Sequence, residues 1–157
     1  MPYVEYVCHD FSVRLSTKGE YGLLALVDLA MHSGEGSVQA AEIAERQGIP
    51  KQYLDQLLVM VKRAGLVVSL RGRQGGYRLA RPAGTITLLD AVRVLEGPVS
   101  NTNFGSRAAR RRYACHAALK AVWDDLNTQS VDLLKSKTLQ DIANECRRSE
   151  DGGMYYI

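Results

Sequence analysis

The sequence predicts a mainly α-helical protein with one small β-hairpin, in which a winged helix-turn-helix is followed by a long dimerisation helix. Three observations lead to this prediction. A short amphipathic segment at 40–47 precedes Gly-Ile-Pro at 48–50 and then a longer amphipathic segment, and glycine ends a helix as readily as proline begins one. Two short apolar runs flank a turn rich in glycine and arginine at 71–76, which is typical of a hairpin. A second long amphipathic segment lies at 107–127.

Composition and charge restrict the class of protein. The chain has 157 residues and a net charge of only +3, but between Arg14 and Arg81 ten basic residues face six acidic ones, so the charge is locally positive. The three cysteines at 8, 115 and 146 form no CxxC pair, which argues against a zinc knuckle or a thioredoxin-type site. Without an apolar run of about 18 residues or a signal-peptide pattern, a cytoplasmic location is expected.

The first three helices are predicted from capping signals and apolar spacing. The first should begin at Ser16–Thr17, with Thr17 and Glu20 at capping-box spacing, and should end near His32. The second helix should span 40–47, with three side chains facing the core. The third helix should span 50–64, with six side chains facing the core. These inward residues are Ala41, Ile43 and Ala44 in the second helix, and Tyr53, Leu54, Leu57, Leu58, Val61 and Ala64 in the third.

Three further helices are predicted after the hairpin. An amphipathic helix at 87–96 should end at Gly97-Pro98, the long helix should span 107–127, and a last helix should span about 138–147. Gly152-Gly153 is interpreted as a hinge. The predicted organisation is then an arm at 1–12, a winged-helix domain at 13–98, a loop at 99–106, a two-helix unit at 107–149 and a tail at 150–157.

The helix-turn-helix and the hairpin together indicate DNA binding. A helix over 50–64 fits the major groove, where glutamine pairs with adenine and lysine reaches guanine or phosphate. The arginine-tipped hairpin should lie against the adjacent minor groove, where the negative potential is concentrated. The start of the first helix is a natural phosphate site. The candidate DNA-binding residues are Thr17, Lys18, Lys51, Gln52, Tyr53, Gln56, Arg71, Gly72 and Arg73. Taken alone, the hairpin tip would be interpreted as a solvated turn, and Tyr53 could pack inward or contact a phosphate.

Four motifs occurring in order give a family resemblance. Residues 15–23, 49–57, 71–77 and 95–98 (LSTKGEYGL, IPKQYLDQL, RGRQGGY and LEGP) resemble those of the IscR/NsrR/CymR family of bacterial winged-helix transcription regulators. The resemblance covers almost everything from Val13 onward and lies nearest the cluster-free cysteine-metabolism repressor CymR. It implies a homodimer joined through the long helix, which binds a partly palindromic operator in double-stranded DNA.

The resemblance also raises the question of an iron–sulfur cluster. Many relatives hold one with three cysteines in the loop before the dimerisation helix, the last lying six residues before a tryptophan. In this chain that position is Ala117, and 99–113 contains no cysteine, so no cluster or other cofactor is expected. Cys115, beside His116 and a run of arginines, could be a redox-sensitive thiol with a lowered pKa or a small residue of the dimer helix. The alternative function is accordingly a redox- or iron–sulfur-responsive regulator.

The last four residues suggest a protein partner. Met154, Tyr155, Tyr156 and Ile157 are apolar or aromatic, whereas most exposed tails are polar. They could pack on their own dimer. The resemblance to CymR implies instead that they enter the active site of O-acetylserine (thiol)lyase (cysteine synthase), which accepts partner C-termini ending in isoleucine.

The predicted function is therefore a dimeric DNA-binding repressor of cysteine or sulfur metabolism genes. No nucleophile–base pair, phosphate-binding glycine loop or metal-ligand spacing supports an enzyme. A protein-binding adaptor built on the same fold is a further alternative. It would lack the steep salt dependence that phosphate contacts impose.

Overall fold

The computed structural model describes residues 15–98 and 114–153. In these ranges a helical core carries a two-stranded hairpin. The elements are α1 (Thr17–Met31), α2 (Ala40–Gln47), α3 (Lys51–Arg63), β1 (Val67–Leu70), β2 (Gly76–Leu79), a short 3-10 helix (Ala83–Thr85), α4 (Leu88–Glu96), α5 (Ala114–Ser136) and α6 (Leu139–Gly153). The predicted winged helix-turn-helix followed by a long helix is confirmed. None of the helices in these ranges has the length and apolarity needed to cross a membrane.

The core lies where α1, α2, α3, α4 and the start of α6 meet. Its fully buried side chains are Leu26, Leu29, Ile43, Leu54, Leu58, Val61, Val67, Ile86, Leu95 and Leu139. Burying a leucine or isoleucine side chain contributes about 1.5–3 kcal/mol, so this cluster supplies the main driving force for folding. The prediction that Ala41 and Ala64 face the core is wrong, because both residues are exposed. An alanine on the outer face is a good helix former and does not have to be buried.

The N-cap of helix α1 lies one residue before the predicted one. Ser16, not Thr17, is the N-cap, and its hydroxyl oxygen accepts a hydrogen bond from the Gly19 N–H at 3.1 Å. Serine and threonine are both strong N-cap residues, so the local sequence does not decide between them. A distant contact decides it, since the Ser16 N–H and hydroxyl both donate to Oε1 of Glu96, at 3.1 Å and 2.5 Å.

The turn between α2 and α3 is built by the predicted glycine and proline. Gly48 has φ +64°, a left-handed conformation that glycine adopts without steric cost. The Ile49 N–H donates to the Ala44 carbonyl, and the buried Ile49 side chain fastens the turn to the core. Pro50 is the N-cap of α3, so the helix itself begins at Lys51. The bounds of α2 match the prediction at both ends.

The hairpin pairs β1 with β2 in antiparallel register, from Val67 opposite Leu79 to Leu70 opposite Gly76. A third short segment joins it, because Val38 and Tyr77 exchange backbone hydrogen bonds of 2.8 Å and 2.7 Å. Val38 precedes α2, so the hairpin is attached directly to the helix-turn-helix.

Helices α5 and α6 both extend further than the sequence pattern indicated. Helix α5 continues nine residues beyond Asn127, to Ser136, while its predicted start at 107–113 lies outside the described residues. Thr128 and Ser130, which are weak helix formers, lie within this extension, and their hydroxyl groups donate to the carbonyls four residues earlier. Helix α6 continues past the predicted end at Arg147 and includes Gly152-Gly153, so the hinge predicted there is wrong.

Helix α6 is fastened to the winged-helix core. The Leu88 N–H donates to the Lys137 carbonyl and the Leu139 N–H to the Ile86 carbonyl, so the starts of α4 and α6 are paired. Leu139 and Ala143 are fully buried in the core cluster. Further along α6, the Arg147 guanidinium donates a hydrogen bond of 2.7 Å to the carbonyl of Met31, the last residue of α1.

Within 15–98 and 114–153, one charged side chain, that of Asp28, is buried in the core. The Asp28 carboxylate is 1% exposed and accepts hydrogen bonds from Nε and Nη2 of Arg46, at 3.0 Å and 2.7 Å, and from Nε2 of Gln47 at 2.8 Å. Nδ1 of His32 lies 3.5 Å from the same carboxylate. Burial raises the pKa of Asp28, but the hydrogen bonds from Arg46 and Gln47 and the charge of Arg46 outweigh it, so that the pKa lies below its ordinary value. This cluster joins α1 to α2.

Replacing Asp28 with asparagine should lower the free energy of unfolding by about 2 kcal/mol, because it leaves Arg46 without its counter-charge. A fully buried pair would lose more, but the Arg46 side chain is 37% exposed. The pKa of Asp28 is depressed, so its contribution is complete above the unfolded-state pKa of about 3.9 and disappears as the pH falls through the folded-state value. The difference between wild type and Asp28→Asn should therefore shrink below about pH 4 in urea titrations.

The matched control is Glu145→Gln, which breaks the exposed Arg148–Glu145 pair on α6. Its cost should stay within about 0.5 kcal/mol. Equal losses in the two variants, or a difference that does not change with pH, would contradict the role of Asp28.

Candidate nucleic-acid interface

The first turns of α3 present the predicted base-contacting side chains to solvent. Lys51, Gln52 and Gln56 are all exposed. Nζ of Lys51 lies 2.9 Å from Oδ2 of Asp55, one turn along the same helix. Ion pairs this exposed contribute about 0–1 kcal/mol, so Lys51 can exchange Asp55 for a stronger acceptor at little cost.

Tyr53 is half-buried, and its side chain packs against the protein core. Its ring meets that of Tyr21 edge to face, with centroids 5.8 Å apart and planes at 76°. Aromatic pairs of this geometry contribute about 0.5–1.5 kcal/mol beyond the burial of area. Of the two interpretations of Tyr53, the structure supports inward packing of the ring, which sets α3 against α1.

The hairpin tip, residues 71–75, projects away from the core. Arg71, Gly72 and Arg73 are exposed, and within 15–98 and 114–153 neither guanidinium forms an ion pair. Gly72 has φ +110°, and its carbonyl accepts the Gly75 N–H at 3.0 Å to close the turn. The tip therefore carries two positive charges that remain available to an anionic ligand.

The start of α1 presents two further candidates. The Thr17 side chain is exposed and Lys18 is half-exposed, immediately after the Ser16 cap. The contact between Ser16 and Glu96 is a feature that sequence reasoning missed. It joins residues 80 positions apart, and the sequence marks Glu96 only as part of the Leu95-Glu96-Gly97-Pro98 motif, so no local pattern identifies it.

Close packing of α1 on α4 accompanies that contact. A Cβ at Gly19 would overlap the Glu96 carboxylate, and a Cβ at Gly22 would overlap the Leu95 side chain. Two glycines one turn apart thus allow α4 to approach α1 closely. This packing places the end of α4 beside the start of α1.

The two cysteines among the described residues, Cys115 and Cys146, do not form a ligand set. Cys115 is exposed at the start of α5 and Cys146 is half-exposed on α6. In the part of the chain that the structure describes, no three His, Cys, Asp or Glu side chains converge on one point. The position expected for the last cluster cysteine is occupied by Ala117, which has no donor atom. The three-thiolate arrangement of the cluster-binding relatives does not fit this chain.

Several predicted features lie outside the described residues. These are the arm at 1–12 with Cys8, the loop at 99–106, the basic run Arg107, Arg110, Arg111 and Arg112, and the four tail residues Met154, Tyr155, Tyr156 and Ile157. Their assignments stay predictions.

Comparison with known proteins agrees with this geometry. Residues 15–145 match the profile of the Rrf2 family, described as an iron-dependent transcriptional regulator. CymR of Bacillus subtilis (strain 168), a helix-turn-helix transcriptional regulator, is 34% identical over 145 residues, covering 92% of this chain and 100% of that protein.

Two solved structures of similar proteins have the same fold. One is CymR (YrzC), the global cysteine regulator of B. subtilis, with a TM-score of 0.76 and 35% identity over 85% of this chain and 98% of that one. The other is IscR of T. potens, with a TM-score of 0.73 and 39% identity over 88% of this chain and 91% of that one. These relatives are regulators and not enzymes, and the chain accordingly belongs to the Rrf2 family of transcriptional regulators.

Proposed function

We propose that this protein is a dimeric repressor that binds partly palindromic operator DNA, with α3 in the major groove and the hairpin tip at the adjacent minor groove. The observation that carries the proposal is the exposure of two basic or amide-rich groups on one module. Lys51, Gln52 and Gln56 lie on α3, and Arg71 and Arg73 lie on the tip. Thirteen helical residues span roughly 20 Å, enough to cross a major groove about 12 Å wide.

The two groups have different chemical roles. The side-chain amide of Gln52 or Gln56 can form two hydrogen bonds with an adenine in the major groove, to its N6 and N7 atoms, and Lys51 can bind guanine or a phosphate, so α3 supplies sequence specificity. The guanidinium groups of Arg71 and Arg73 are attracted by the negative potential of a narrow minor groove. The side chains of Thr17 and Lys18, at the start of α1, are proposed to contact a phosphate. The tip and α1 therefore contribute mainly affinity and register.

The exposed face of α5 supports a homodimer. Leu119, Val122, Leu126 and Leu133 are exposed, and their spacing of three, four and seven residues places them on one stripe of the helix. An apolar stripe of this length is costly in water and is covered when two copies pair. In a two-fold dimer the two α3 helices would meet half-sites about one helical turn apart.

The genes controlled are proposed to be those of cysteine or sulfur metabolism. The basis is the similarity to CymR, described as the global cysteine regulator of B. subtilis. We place the effector step at the tail, which binds cysteine synthase through Tyr156 and the Ile157 carboxylate. O-acetylserine would compete for the enzyme pocket, release the tail and reduce the affinity for DNA.

One alternative has specific support, and a second is separated by experiment. The family description names iron, and Cys115 is exposed, which favours a redox- or iron-responsive regulator. The donor set of this chain does not fit the three-thiolate site, so we favour a regulator without a cluster. A protein-binding adaptor is separated from a DNA-binding regulator by its response to salt, because counterion release gives log K a slope of about −0.9 per phosphate neutralised.

Replacing Arg71 and Arg73 together with alanine should weaken DNA binding and flatten its salt dependence. Because the double variant no longer neutralises two phosphates, the slope of log K against log salt should fall by about 1.8 in magnitude, and the Kd at 0.1 M salt should rise about 10- to 100-fold. The probe is a duplex selected from a random pool by the wild-type protein, titrated at several salt concentrations. Arg148→Ala, an exposed arginine on α6, should bind like the wild type. Unchanged affinity of the double variant would contradict the assignment of the hairpin tip.

Deleting Tyr156 and Ile157 should abolish binding to purified cysteine synthase while leaving DNA affinity intact. Ordering four tail residues costs roughly 1–2 kcal/mol each, and burying three large side chains returns about 1.5–3 kcal/mol each. The balance is so close that losing two anchors and the carboxylate site should reduce affinity below detection in calorimetry. Added O-acetylserine should compete with the full-length tail. Undiminished enzyme binding by the truncated form would rule the partner out.

A further inference from the structure

Both strands of the hairpin are tied to the helix-turn-helix. On one side Val38 exchanges two backbone hydrogen bonds with Tyr77 of β2. A side chain at Gly76 would overlap the Val38 carbonyl, so this glycine allows the two backbones to approach. On the other side Nζ of Lys62, near the end of α3, donates to the hydroxyl of Ser69 on β1 at 2.6 Å.

These contacts hold the two strands but do not involve the hairpin tip at 71–75. Each strand has only four residues, and an isolated hairpin of that size is at best marginally stable in water. One side chain reaches the tip from the helix-turn-helix side. The hydroxyl of Ser37, in the connection between α1 and α2, donates a hydrogen bond to the main-chain carbonyl of Gln74. Gln74 follows Arg73 directly in the turn.

The position of Ser37 gives this hydrogen bond a geometric consequence. Ser37 and Val38 lie just before Gln39, the residue that caps α2, so the backbone that holds the tip also begins the helix-turn-helix. The distance between the tip and α3 is therefore already fixed in the protein without DNA. Binding in two adjacent grooves needs this distance to be held, since groups ordered in advance do not lose that freedom on binding.

We propose that Ser37 is a positioning residue for DNA binding: its hydroxyl holds the hairpin tip so that Arg71 and Arg73 contact DNA while α3 lies in the major groove. This inference rests on the DNA-binding function proposed above. Ser37 itself does not touch DNA, and its effect passes entirely through the two arginines. The effect of replacing Ser37 on DNA binding should therefore require that Arg71 and Arg73 are present.

The experiment is a cycle of four proteins: wild type, Ser37→Ala, Arg71→Ala with Arg73→Ala, and all three substitutions together. A neutral hydrogen bond contributes enough that its loss should raise the Kd of Ser37→Ala about two- to tenfold on the selected duplex. Its salt slope should move toward that of the arginine variant. In the arginine-free background Ser37→Ala should change the Kd by less than about 1.5-fold, because the energies of coupled sites are not additive.

Three further measurements separate positioning from a general loss of structure. Ser37→Thr keeps a hydroxyl and should restore wild-type affinity, and Ser33→Ala, in the same connection, should bind like the wild type. In the protein without DNA, hydrogen exchange at residues 70–76 should accelerate in Ser37→Ala while exchange in α1 and α3 stays unchanged.

Each failure has a distinct meaning. Equal losses in both backgrounds, unchanged tip exchange, or no rescue by threonine would overturn the role of Ser37 while leaving DNA binding intact. A wild-type protein whose binding to duplex DNA does not respond to salt would overturn the proposed function itself.

Discussion

The packing of α1 against its neighbours is the constraint on which the rest of the structure depends. Helix α1 contacts α2, α3, α4, α6 and β2, so the elements that we propose to face DNA are positioned relative to it. Glycines at 19 and 22 allow α4 to approach, and the buried Asp28 carboxylate holds α2 through Arg46 and Gln47. A buried carboxylate is stable only when its hydrogen bonds are satisfied, so it also favours one arrangement of α1 and α2 over others.

Local signals were sufficient for most of the fold. The turn at Gly48, the cap at Thr87 and the glycine-rich hairpin tip each involve residues close in sequence, and their elements were predicted at nearly the right positions. The errors arose where a distant contact decided between two good cap residues, or where a helix continued through weak helix formers. Glu96 selects Ser16 over Thr17 as the cap, and α5 continues through Thr128 and Ser130 to Ser136.

The candidate interface shows the same division. The exposed residues of α3 and the tip follow from helical and hairpin periodicity, because both periods place side chains without reference to the rest of the chain. The hydrogen bonds that hold the hairpin and its tip against the helix-turn-helix do not follow from periodicity. Ser37 and Gln74 lie 37 residues apart, and the pairing of Val38 with Tyr77 has no pattern of its own in a segment rich in glycine and serine. The groups that we propose to bind DNA can thus be selected from the sequence, whereas the contacts that hold them together are found only in the structure.

The central claim is that α3 and the hairpin tip bind adjacent grooves in each half of a two-fold site. Methylation interference on the selected duplex tests it most directly, since a methyl group on guanine N7 blocks the major groove and one on adenine N3 blocks the minor groove. The account predicts interference at major-groove positions in two half-sites about one helical turn apart, each flanked by minor-groove interference that disappears in the Arg71→Ala, Arg73→Ala protein. Interference in a single half-site, or minor-groove interference that persists without the arginines, would contradict it.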